Sequence, residues 1–390
     1  MVARPRKGLQ ERRPVRGRPV AVARARLRGY SPPTIADAMT NSPVDPASVR
    51  RVLLVRPRFL GDICLTLPTL DAVRAACPTA RVAYLAGRAS AQLLEGDPRV
   101  DELIVAPEKP GLAATAALVG RLRRFDADVA IDLFCNPRTA VWTFLSGARV
   151  RVGYPNKGWR SALYTHHVRP RTLSAVGFHL AALAALGWPA RESTPRLHLR
   201  EEARAEARAA LAALGVADGV RLVGFHPGAR WPTRQWAPER FTALAARFLE
   251  AWPDGVALVT AGPGEDALAA RVAAPLGARA RVVAGWPLAR LVGLQSLCAA
   301  FVCGDTGPVH TSVAVGTRTL GLYSKQRPVA LFPYPAEAGH RAHYARAECS
   351  PCARDHCDDL RCLERLTVDG AWALLSGMLR PSGSPSEGRA

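Results

Sequence analysis

Short apolar runs rich in β-branched residues recur along the chain, each followed by a loop and then by helical periodicity. Arg51-Val-Leu-Leu-Val55 is the first, and unbroken apolarity over so few residues marks a strand buried on both faces. Further strands are expected at 81–85, 103–105, 129–133 and 150–153, with helices at 63–76 and 113–124. A second unit repeats the pattern. Strands are expected at 221–225, 256–260, 300–303 and 319–323, and helices at 201–214, 238–251, 265–274, 288–297 and 308–315, with Gly215 as a natural C-cap for the first of these. Strands alternating with helices give parallel sheets covered on both faces, so the pattern predicts two doubly wound α/β domains facing a cleft. Such sheets bind ligands at the carboxyl ends of their strands.

The length, 390 residues, suits two domains. No apolar run reaches the roughly 18 residues a spanning helix needs; 174–188 carries His179, and 291–304 carries Gln295 and Ser296. The expected partition is a disordered basic extension (1–48), an N-terminal domain (49–190), a linker with its helix (191–215), a C-terminal domain (216–345), a Cys-bearing segment with a last helix (346–380) and a tail (381–390).

The net charge of +21 invites a nucleic-acid reading, but only four residues are Lys, as a compositional bias toward Arg would give. The first 28 residues hold ten basic residues and one acid, and so carry nine of those charges. Two readings stay open for this extension: a contact with anionic lipid, or an over-long start ahead of Met39. There is no recognition helix, RNA motif or aromatic-basic stripe, so nucleic acid is not an expected partner.

Three strand-end loops of the second unit carry phosphate-type chemistry. His226-Pro-Gly-Ala-Arg-Trp-Pro-Thr-Arg-Gln-Trp236 brings Arg230, Thr233 and Arg234 to the sheet edge beside Trp231 and Trp236, and guanidinium groups there suit phosphate oxygens. An ordinary surface loop of an Arg-rich chain is the competing reading. Gly262-Pro-Gly-Glu265 lets backbone approach a ligand, with Glu265 able to accept from ribose hydroxyls; it is also an ordinary turn. Gly304-Asp-Thr-Gly-Pro-Val-His310 opens a helix whose free N–H groups form an anion site; Asp305 and Thr306 also suit simple capping. In the first unit, Asp62 ends the loop after the first strand, at a helix start that favours a carboxylate.

Arg51-Val-Leu-Leu-Val-Arg-Pro-Arg-Phe-Leu-Gly-Asp62 and these three loops, in this order, resemble glycosyltransferase family 9, the ADP-heptose:lipopolysaccharide heptosyltransferases, over roughly residues 50–380. The resemblance implies a GT-B fold of two Rossmann-like domains, with acceptor on the first and nucleotide sugar on the second. It implies inverting transfer of heptose from ADP-heptose to a lipopolysaccharide core acceptor, with Asp62 as general base. Arg230, Thr233, Arg234, Glu265, Asp305, Thr306, Gly307 and His310 become donor contacts, and Arg56 and Arg58 acceptor contacts. Arg234 stands where relatives often carry Lys. Another nucleotide sugar and glycan acceptor is the nearest alternative. The resemblance also implies a cytoplasmic enzyme, with peripheral contact at the inner membrane.

No cofactor is expected. Leaving-group stabilisation by Arg234 and a helix start makes a metal unnecessary, and Asp126-Ala-Asp128, far from the nucleotide loops, reads as structural. A dinucleotide oxidoreductase would want Gly-x-Gly-x-x-Gly after the first strand, where Arg-Pro-Arg-Phe-Leu-Gly-Asp stands instead. Cys64, Cys77, Cys135, Cys298 and Cys303 read as core thiols. Cys349, Cys352, Cys357 and Cys362, with His356, form a weaker zinc candidate: the first pair is well spaced and the second does not repeat it.

Overall fold

The structure, a computed structural model, describes residues 42–109, 111–155, 158–352 and 354–380. The polybasic stretch, Met39 and the tail from 381 lie outside the described residues.

Six parallel strands form the first sheet: β1 (Arg51–Val55), β2 (Arg81–Gly87), β3 (Glu102–Ala106), β4 (Val129–Asp132), β5 (Val150–Gly153) and β6 (His166–His167). Its helices are α1 (Leu60–Ala76), α2 (Arg88–Ala91), α3 (Leu112–Phe125), α4 (Pro137–Leu145) and α5 (Ala175–Ala184). The second sheet holds β7 (Leu222–His226), β8 (Val256–Thr260), β9 (Ala280–Val283), β10 (Ala300–Gly304), β11 (Thr319–Tyr323) and β12 (Arg341–Tyr344), also all parallel. Around it lie α6 (Glu201–Ala213), α7 (Pro238–Ala251), α8 (Asp266–Ala273), α9 (Leu288–Leu297), α10 (Gly307–Ala314), α11 (Pro328–Leu331), α12 (Arg361–Glu364) and α13 (Val368–Leu379).

The strand orders are β3-β2-β1-β4-β5-β6 and β12-β11-β10-β7-β8-β9, so each sheet has the Rossmann order 3-2-1-4-5-6 in its own chain sense. The order reverses between β1 and β4 in one sheet and between β7 and β10 in the other. There the connections leave to opposite faces and open a crevice beyond the strand ends. Val55 pairs with Asp132 at the first reversal and His226 with Cys303 at the second, so both loop pairs start side by side.

Alternation along β1 explains its apolar run. Val52 and Leu54 pack with Ile63, Leu67 and Leu70 of α1, whereas Leu53 and Val55 pack with Leu118, Leu122 and Phe125 of α3. In the second sheet Val223 and Phe225 meet Phe241, Leu244 and Phe248 of α7 and Leu375 of α13. The two domains share a further core, in which Leu65 of α1 and Val176 and Leu180 of α5 pack with Val309 and Val313 of α10. A buried Leu contributes about 1.5–3 kcal/mol, so this contact is a substantial tie. The linker adds backbone ties: Leu197 N–H donates to Ala314 O at 2.9 Å, and Arg99 Nη2 to Arg196 O at 2.8 Å.

Residues 42–48, grouped by the sequence pattern with the extension, pack on the end of the first domain. Val44 N–H donates to Leu186 O (3.0 Å), and Trp188 Nε1 to Val44 O (2.8 Å). Among the described residues no helix is long and apolar enough to cross a membrane.

Candidate active site

The loop after β1 crosses the first reversal point. Phe59 adopts a positive φ of 64°, turning the chain into α1, and Asp62 falls in that helix's first turn. Asp62 makes no capping hydrogen bond; its Oδ2 lies 2.7 Å from Arg56 Nη2. Arg56 is buried, donates from Nη1 to Leu133 O at 2.8 Å, and stacks over Phe134. The carbonyl it uses belongs to the loop after β4, which buried Asp132 folds. Asp132 Oδ1 accepts from Phe134 N and Cys135 N, and Oδ2 from the Tyr164 hydroxyl at 2.8 Å. Burial pushes the Asp132 carboxyl up, against the pull of these donors. Beside Arg56 opens a cavity of ≈ 420 Å³, also lined by Phe134, Tyr154, Ser174, Phe178 and His179. Tyr154 and Phe178 stack there at 4.4 Å. Arg58, by contrast, is exposed and lies over Phe59.

At the second reversal point Arg234 meets the loop after β10. Its Nη1 is 3.1 Å from Asp305 Oδ2 and 3.3 Å from Asp305 O, while its Nε is buried with no acceptor among the described residues. The Asp305 contact is close in distance but lacks hydrogen-bond angles, so the pair is electrostatic and leaves donors for a ligand. Burial raises the Asp305 carboxyl; Arg234 and Lys325 draw it down, and Asp62 raises it further. That last influence puts the first domain's carboxylate within electrostatic reach of the loop after β10 in the second domain.

Thr306 is the N-cap of α10, yet no side chain caps that helix. The capping alternative is therefore not what the residues do, and the helix start stays open. Gly307 lies against Leu60, and His310 packs on Gly61, where an added Cβ would lie 2.5 Å from His310 Cδ2. His310 is buried, its Nδ1 is 2.6 Å from the Tyr334 hydroxyl, and burial lowers its pKa to about 3, with Arg234 adding to the effect. It is a neutral wedge between the domains.

Glu265 folds back on its own turn. Gly262 N–H donates to Oε2 at 2.8 Å, and His226 Nε2 lies 3.6 Å away. Burial depresses His226, although Glu265 opposes this, so the pair is a contact with a neutral imidazole. Gly228 packs under the same carboxylate, where a Cβ would collide with it.

Residues 115–361, more than half of the chain, match the family model for glycosyltransferase family 9 (heptosyltransferase). The chain belongs to glycosyltransferase family 9. Lipopolysaccharide heptosyltransferase 1 of Pseudomonas aeruginosa is 26% identical over 323 residues, covering 79% of this chain and 87% of that protein. The glycosyl transferase family 9 structure from Veillonella parvula superposes with a TM-score of 0.75 at 22% identity, covering 86% of this chain and 99% of that one. The ADP-heptose LPS heptosyltransferase II of E. coli gives 0.70 at 20%, covering 84% and 98%. The fold is thus GT-B, and the protein is a glycosyltransferase.

Several expected residues of this glycosyltransferase sit differently from the sequence reading. Trp236 is in the core, its Nε1 bonded to Leu366 O, and offers no face to a ligand. The Thr233 hydroxyl donates to Arg354 O and Asp355 O at 3.2 Å each, holding the Cys-bearing segment. Arg230 is exposed, over both Trp231 and Phe59, reaching the other domain. Among the described residues no three His, Cys, Asp or Glu side chains are grouped to hold a metal, so Cys349, Cys352, Cys357 and Cys362 form no assembled ligand set. Asp128 accepts from Arg50 N and Arg51 N, and Asp126 pairs with Arg51, at the amino edge of the sheet away from Asp62. Asp132 and Lys325 escaped the sequence reading. Asp132 sat at the end of an apolar run, and Lys325 was one of four lysines in an Arg-rich chain, which were signals of a sort.

Proposed function

We propose that this glycosyltransferase transfers a heptose from ADP-heptose to a lipopolysaccharide core acceptor with inversion, using Asp62 as general base. One observation carries the reading: Asp62 and the Arg234–Asp305–Thr306 loops come from different domains, yet face one another beside the Gly61–His310 contact. The names of the relatives support the donor and acceptor class.

In this reading the nucleotide sugar lies on the second domain, its diphosphate between Arg234 and the open start of α10, its nucleoside toward Glu265. The acceptor sugar enters the cavity beside Arg56, where the Tyr154–Phe178 pair offers an apolar face. The acceptor hydroxyl oxygen attacks the anomeric carbon as the bond to the diphosphate oxygen breaks. That oxygen keeps the electron pair, and the hydroxyl proton passes to Asp62. Charge growing on the leaving group is met by the Arg234 guanidinium and the helix N–H groups. The lipid-linked acceptor brings the enzyme to the cytoplasmic face of the inner membrane.

Asp62→Asn keeps the shape and removes the base. Turnover should fall about 10²–10⁴-fold with nucleotide affinity intact. Full activity would remove Asp62 from this role. Calorimetric titration with ADP, UDP and GDP, in EDTA, tests the donor. Selective ADP binding supports ADP-heptose, and preference for UDP or GDP overturns it.

A further inference from the structure

Lys325 follows β11, the strand next to β10, so its turn stands beside the Asp305–Gly307 loop. Its side chain is 5% exposed, and among the described residues its Nζ has one acceptor, Asp355 Oδ1, at 2.8 Å. An ammonium has three protons to place, and burying one is costly unless it is paired.

The partner arrives on the Cys-bearing segment, which is tied to the turn after β11 and to the loop after β7. Cys352 N–H donates to Lys325 O (2.9 Å), Gln326 Nε2 to Cys352 O (2.8 Å), and Ser350 Oγ to Ser324 O (3.0 Å). From the other side Thr233 holds the carbonyls of Arg354 and Asp355. The Asp355 carboxylate is held below the usual range, first by Lys325 and then by Arg234 and His356. It is an anion seated among the cations of the leaving-group site.

The charges of the site pair off: Arg234 with Asp305, Lys325 with Asp355. A diphosphate needs cations that are not already spent. Asp305 is buried and cannot withdraw. Asp355 keeps 44% of its side chain in water and can swing out at little cost. A compact ammonium on a flexible stem can exchange one oxygen partner for another, where a planar guanidinium would need a new fork geometry.

We propose that Lys325 binds the diphosphate of the nucleotide donor beside Arg234 and the start of α10, and that Asp355 holds its ammonium in the free enzyme and releases it when the diphosphate enters. This rests on the reading of the second domain as the nucleotide-sugar site.

The test is calorimetry on the full-length protein with whichever of ADP, UDP and GDP binds the wild type, and with the matching nucleoside. Lys325→Met should weaken the diphosphate about 10- to 100-fold, the usual cost of a lost charged hydrogen bond, and leave the nucleoside unchanged. The nucleoside also reports that the variant is folded. Asp355→Asn, on the surface, should tighten the diphosphate several-fold, and the double variant should match Lys325→Met alone. Diphosphate binding to Lys325→Met within twofold of wild type overturns the proposal while leaving the donor reading standing. Asp355→Asn that weakens the diphosphate makes Asp355 a structural tie and overturns the exchange. Wild type that binds no nucleoside diphosphate overturns both the donor reading and this proposal.

Discussion

Two uses compete for the guanidinium of Arg56. The family resemblance directs it at the acceptor, and it lines the cavity proposed for the acceptor sugar. Its two terminal nitrogens are nevertheless already engaged, one with Leu133 O and one with Asp62. Behind Leu133 stands Asp132, whose three accepted hydrogen bonds shape the loop and so fix where Arg56 can reach. Arg56 is therefore first a positioning residue for Asp62. Arg56→Gln should lower kcat about 10- to 100-fold, by analogy with other hydrogen bonds to charged groups, with donor KM within about twofold. Steady-state kinetics with each substrate varied in turn decides it. A rise in acceptor KM at unchanged kcat would make Arg56 an acceptor contact and nothing more.

Between elements, the tightest constraint is where α1 of one domain meets α10 of the other. Gly61 is needed there for close approach, since His310 occupies the space a side chain would fill. Gly61→Ala overpacks this contact, and such insertions cost roughly 1–3 kcal/mol. The domains should be pried apart at the point where Asp62 faces the Arg234 and Asp305 loops. We expect kcat to drop at least tenfold while nucleotide affinity, which the proposed reading confines to the second domain, stays within about twofold. Wild-type turnover by Gly61→Ala would show that the contact is slack. The elements themselves were legible in the sequence because buried parallel strands are unbroken apolar runs: β1, β8 and β11 fall on the expected residues. The two-residue β6 and the four-residue α2 and α11 are too short to show a period, and α5 is apolar on all sides, so it reads as a core run without a face. Asp62, Arg234 and Asp305 could be singled out as candidates because each follows such a run, directly or across its loop. Lys325 and Asp355 could not be joined, because 30 residues separate them and their pairing depends on how the Cys-bearing segment returns to the sheet.

Over the whole molecule, the described residues belong to one compact unit, and a shared core runs through the two domains. That core is lined by histidines kept neutral. His310 and His179 are pushed down to about 3 and His340 to about 4, in each case chiefly by burial. A histidine whose folded pKa lies below its unfolded value of 6.5 leaves the unfolded chain binding the extra proton between the two. Stability is then lost as pH falls through that window. Asp132 and Asp305, with carboxyls pushed up by burial, act in the opposite sense, since the folded state holds their protons more tightly. A bare pH profile of stability mixes the two, so the histidine contribution must be isolated by difference. His179 is suited to this: its Nδ1 lies 3.4 Å from the Tyr154 hydroxyl, and Gln can keep that contact without titrating. Urea unfolding of wild type and His179→Gln, compared from pH 7.5 to 4.5, should show a constant gap above about pH 7. Below pH 6 wild type should lose ground on the variant, approaching about 1.4 kcal/mol per pH unit, the value for one proton. A gap that stays constant down to pH 4.5 would mean that His179 takes up its proton as readily in the folded enzyme as in the unfolded chain. The core shared by the domains would then be open to water at α5.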